Sequence, residues 1–70
     1  MPSHYFVSCV ETDGRRRSSL LAGPYASHAE ALSKVHAVSR LAEDADPRAA
    51  WYAFGTAGAD VAHKTVFGIV

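Results

Sequence analysis

The chain has 70 residues, 49% of them hydrophobic, and seven Lys+Arg balance seven Asp+Glu, so the formal net charge is zero with histidine neutral. That balance excludes a basic nucleic-acid coat protein and a strongly acidic DNA mimic. A single cysteine, Cys9, excludes an internal disulfide and a Cys-rich metal site.

One domain with one core is all this length allows. A chain near this size buries only about 60% of the surface its unfolded form exposes, so a partner subunit is a common source of added stability. The sequence opens Met1-Pro2-Ser3-His4, without a basic region followed by an apolar run, so no secretion signal is expected. No apolar stretch approaches the ~20 residues of a membrane span. The expectation is a soluble, cytoplasmic protein, and the low cysteine count fits a reducing compartment.

Residues 5–11 (Tyr-Phe-Val-Ser-Cys-Val-Glu) are β-branched and aromatic, the chemistry of a strand. Alternation sets Tyr5, Val7 and Cys9 on one face and Phe6, Ser8 and Val10 on the other, and the first set is assigned to the core. Asp13-Gly14 tolerates the positive φ of a tight hairpin turn. A second strand is expected to start inside Arg15-Arg16-Arg17 and to stop at Gly23-Pro24, because proline cannot continue a central ladder.

Ser27-His28-Ala29-Glu30 has the Ser-x-x-Glu form of a capping box, which predicts a helix from His28. At 100° per residue, Ala31, Val35, Val38, Ala42 and Ala45 form one apolar stripe flanked by Leu32 and Leu41. Ser33, Ala37, Arg40 and Asp44 fall away from it. The helix is expected to fade near residues 44–46, since Pro47 disfavours helical backbone in the residue before it. Asp46-Pro47 fits either the start of a second short helix or a turn into a strand. The aromatic run Trp51-Tyr52-Ala53-Phe54 favours a third strand, residues 57–60 read as a loop, and residues 63–70 read as a fourth strand with a bulge at Gly68. The expected fold is α+β: a four-stranded antiparallel sheet in ββαββ order, covered on one face by one helix.

No catalytic constellation emerges. The four histidines, His4, His28, His36 and His63, include no i,i+4 pair for a helical metal motif, and no cofactor or metal ligand set is assigned. Glu43, Asp44 and Asp46 cluster where acids oppose the helix dipole; they read as a solvated turn or as an acidic patch for a basic partner. Arg15, Arg16 and Arg17 are the densest charge. They either reach a partner's carboxylates or a phosphate backbone, or simply keep an edge hairpin soluble. Trp51 and Tyr52 are the aromatic candidates for an interface anchor, because Trp, Tyr and Arg carry much of the energy of protein interfaces.

Gly23-Pro24-Tyr25-Ala26-Ser27-His28-Ala29-Glu30-Ala31-Leu32, followed by Asp46-Pro47-Arg48-Ala49-Ala50-Trp51-Tyr52-Ala53-Phe54-Gly55-Thr56, resembles a group of small proteobacterial proteins carried by phages, prophages and plasmids. The resemblance covers about half the chain and brings no catalytic residue with it. It implies a mobile genetic element and the company of small binding proteins such as anti-CRISPR proteins.

The reading of the sequence is therefore a non-enzymatic protein-binding module that inhibits a host defence complex of CRISPR-effector type. Its contact residues would be Arg15, Arg16, Arg17, Trp51 and Tyr52. The alternative is a small nucleic-acid-binding accessory protein using the same arginines, and a homodimer through edge strands is a third reading.

Overall fold

The computed structural model describes residues 2–12 and 17–70. Strand β1, His4–Val10, is the centre of the sheet, with β2, Ser18–Tyr25, antiparallel on one side and β3, Ala53–Ala59, antiparallel on the other. Helix α1, His28–Ala45, packs across one face, and a 3-10 helix, Pro47–Trp51, returns the chain to β3. The expected turn at Asp13-Gly14 lies outside the described residues.

The helix begins where the capping box places it. Ser27 is extended, and its hydroxyl accepts the Glu30 amide at 3.1 Å, satisfying one of the donors a helix start leaves open. Its stripe docks as the periodicity requires: Ala31, Val38 and Ala42 are buried, Val35 is half-buried, and Ala45 at the last turn is exposed. Val7 and Cys9 of β1, Leu21, Ala22 and Tyr25 of β2, and Ala49 of the 3-10 helix complete the core, with Tyr5 packed against it. The assigned inward face of β1 is the face beneath the helix.

The four-stranded ββαββ sheet is overturned. Among the described residues the sheet has three strands in the spatial order β2-β1-β3, and residues 63–70 form none. The last segment curls instead of extending. The Thr65 hydroxyl accepts the Gly68 amide at 3.0 Å, and Gly68 sits at φ +71°, a left-handed conformation that suits glycine. Curled this way, the segment still caps the outer edge of β2. Val66 N–H donates to the Leu20 carbonyl, Phe67 N–H to Leu21, and Gly23 N–H to Gly68. It also turns over the far face of the sheet, where Phe6, fully buried, lies 6.1 Å from the His63 ring.

Two further boundaries differ. Strand β2 continues through Gly23-Pro24 to Tyr25, because two register shifts against β1 take up the irregular residues and Gly23, at φ +122°, supplies backbone that other residues rarely adopt. It begins at Ser18, just after the arginine run. The aromatic run does not open a strand at Trp51. Asp46 accepts the Arg48 amide at 3.0 Å with Pro47 at the first position, which closes a 3-10 turn through Trp51. Strand β3 instead contains the Ala57-Gly58-Ala59 run expected as a loop. Its small side chains sit opposite the large ones of β1, with Gly58 paired to Tyr5 and Ala57 to Phe6.

Candidate partner-binding end

One end of the sheet gathers Arg17, Trp51 and Tyr52, the described residues among the expected contacts. Val10, the last residue of β1, pairs with Ser18 on one side and with Ala53 on the other. Arg17, just before β2, and Trp51-Tyr52, just before β3, are therefore brought to the same end. The Glu11 amide donates to the Arg17 carbonyl at 2.8 Å, and the Thr12 hydroxyl donates to the Trp51 carbonyl. Those two bonds tie the hairpin arm and the 3-10 helix to one another across the end of β1. Arg15 and Arg16 lie outside the described residues.

Trp51 is 80% exposed. With Thr12, Arg48 and Tyr52 it frames an open cleft of about 260 Å³. Sites that enclose small molecules run from about 300 to 1,000 Å³ and bury most of the ligand. This cleft is smaller and open, so it suits the side chain of a docked macromolecule better than an enclosed metabolite.

Arg48 was not singled out in the sequence, although Asp46-Pro47-Arg48 held the signal: a capping Asp with Pro behind it turns the chain back so that the next arginine meets the carboxylate. The Arg48 guanidinium donates to Asp46 through Nε and Nη2, forming an ion pair at 3.0 Å, while its side chain stays 79% exposed. Hydrogen bonds from Arg48 hold the Asp46 carboxyl below the usual carboxylate range, and Asp46 in turn holds the Arg48 guanidinium charged. The pair fixes the plane of a guanidinium beside the exposed indole, leaving Arg17 as the neighbouring exposed cation among the described residues at this end. Such a surface can take an aromatic or aliphatic side chain against the indole and carboxylates against the arginines.

The remaining candidate groups do not converge here. Cys9 is buried in the core, and burial followed by the nearby Glu11 charge pushes its thiol up, so it is not a ready thiolate at neutral pH. His28 Nε2 lies 3.0 Å from the Thr56 hydroxyl, and its ring tilts against Tyr5, which ties α1 to the sheet. Among the described residues, no three His, Cys, Asp or Glu side chains are grouped to hold a metal ion. Glu43 and Asp44 are exposed on the last turn of α1. No described helix is long and apolar enough to cross a membrane.

No family model, no curated protein and no solved structure matches the chain.

Proposed function

We propose that this chain is a non-enzymatic binding module that docks a partner protein through the Trp51 end of its sheet. The observation that supports this reading most is the exposure of Trp51 at 80% beside a fixed guanidinium. A large indole in water gains nothing for the fold, and it is the residue type that most often anchors a protein interface. The cluster of Arg17, Arg48, Trp51 and Tyr52 on one end gives that anchor a polar rim. The resemblance to proteins of mobile elements extends the reading to a host defence complex of CRISPR-effector type, whose surface the module would occlude.

The test uses immobilised wild type and Trp51→Ala in nuclease-treated lysate of cells that carry the gene. Wild type is expected to retain a stoichiometric protein at moderate salt, and Trp51→Ala to lose it. The substitution should leave folding stability within about 0.5 kcal/mol, as surface changes do, so lost binding would not be lost structure. Equal retention by both proteins removes this end from the interface. Retention that disappears with nuclease, or that falls steeply with salt, transfers the surface to nucleic acid, where phosphate contacts release counterions.

A further inference from the structure

The two outer edges of the sheet are treated differently. The β2 edge is capped by the chain's own last segment, through the bonds of Val66, Phe67 and Gly68 to Leu20, Leu21 and Gly23. Strand β3 borders only β1, and no described residue pairs with its other side. An edge of this kind presents unpaired N–H and C=O groups that template another strand. Natural edges are usually blunted by lysine, proline, a bulge or short length. Strand β3 has none of these: Ala53-Phe54-Gly55-Thr56-Ala57-Gly58-Ala59 carries no charge and no proline, and it keeps unbroken register with β1 over all seven residues.

We propose that a second copy of this chain adds antiparallel to β3 about a two-fold axis, giving a continuous six-stranded sheet. A two-fold interface must be self-complementary, and this strand is. Pairing centred on Thr56 sets Phe54 of each copy opposite Gly58 of the other and Gly55 opposite Ala57. Small residues face small residues at Gly55 and Ala57, and no like charges are opposed. The chain as a whole carries no net charge, so two copies approach without long-range repulsion. The dimer also supplies the added burial that a domain of this size otherwise lacks.

The geometry has a functional consequence that rests on the reading of Trp51 given above. Ala53, where β3 begins, lies three residues from the axis, so the two strand starts stand about 20 Å apart at 3.3 Å per residue, and each Trp51 lies beyond its own strand start at the end of the 3-10 helix. The two anchors sit at opposite ends of the joint sheet, and the module is two-headed. A partner with two suitably spaced sites would be held far more tightly than one site allows.

Gly55 gives a clean test. Its backbone is not in the positive-φ region, and an added Cβ would meet nothing within 4 Å, so Gly55→Lys is compatible with the monomer fold. In the dimer it sets a lysine in the middle of the joint edge. Sedimentation equilibrium is expected to give wild type twice the 7.5 kDa chain mass, and Gly55→Lys the single mass with an unchanged far-UV spectrum. The dimer dissociation constant should rise by about tenfold or more, because the two lysines stand on the same face diagonally across the axis as like charges. Ala53→Lys, at an exposed position on the same strand, carries the same test if Gly55→Lys does not fold. A wild type that stays monomeric up to millimolar concentration overturns the proposal, and so does a folded lysine variant that remains dimeric. Neither result touches the Trp51 binding test, which fails or holds on its own readout.

Discussion

A residue's partners decide whether its charge belongs to the fold or to a surface. Asp46 and Arg48 illustrate the first case. Asp46 caps the 3-10 turn and receives the Arg48 guanidinium, and those hydrogen bonds lower its affinity for a proton in the folded state. A depressed folded pKa contributes stability above the unfolded value, about 3.9 for aspartate, and loses it as pH falls through the folded value. The urea midpoint of wild type is therefore expected to fall as pH drops through and below the unfolded aspartate value. The fall should be shallower in Asp46→Ala, which has no carboxyl there to protonate. The site is exposed and screened, so the difference should be small; a steeper fall in the variant would contradict the assignment. Trp51 is the second case, and its run of aromatic neighbours drew attention in the sequence for the wrong structural reason. Strand propensity is a statement about packing on a pleated surface. The Asp46-Pro47 cap acts first and locally, so Trp51 ends a 3-10 turn and points outward.

Elements were legible where their signals are local. The capping box placed the helix start at His28, and the 3.6-residue stripe identified the buried face, because both act over one or a few turns. The alternation of β1 identified the side beneath the helix for the same reason, but not that Phe6 on the opposite side is fully buried as well. Strand β2 was less legible, since Gly23-Pro24 reads as a break unless bulges accommodate it. Gly23 shows what that accommodation requires: at φ +122°, an added Cβ would stand 2.8 Å from the Tyr5 carbonyl and 2.9 Å from the Phe6 ring. Gly23→Ala is expected to cost about 2 kcal/mol or more, because unfavourable backbone and a backbone clash coincide. Chemical denaturation would check this, and a variant as stable as wild type would mean that β2 can straighten past the bulge.

The whole molecule is organised by which edges and faces are covered. Residues 66–70 hold the β2 edge through three backbone bonds, and Tyr25 donates its hydroxyl to the Val70 main-chain oxygen at 3.1 Å. Phe67 packs against the core beside them. Deleting residues 66–70 should cost about 3–5 kcal/mol, at roughly 1 kcal/mol per bond plus the half-buried Phe67 ring. It should also make the chain prone to further self-association through the exposed β2 edge, read as a lower thermal midpoint and species heavier than the wild-type assembly. A truncated chain of unchanged stability would show that the segment merely rests on the sheet. The sequence by itself determined the helix, its inward stripe, the core face of β1 and the α+β class, because each follows from contacts between near neighbours along the chain. The tertiary structure alone decided that the last segment curls as an edge cap, that the Ala-Gly run becomes β3, and that Arg17, Arg48 and Trp51 meet at one end. Those outcomes depend on large residues of β1 selecting small partners and on side chains that meet only across the sheet, and no local pattern records either.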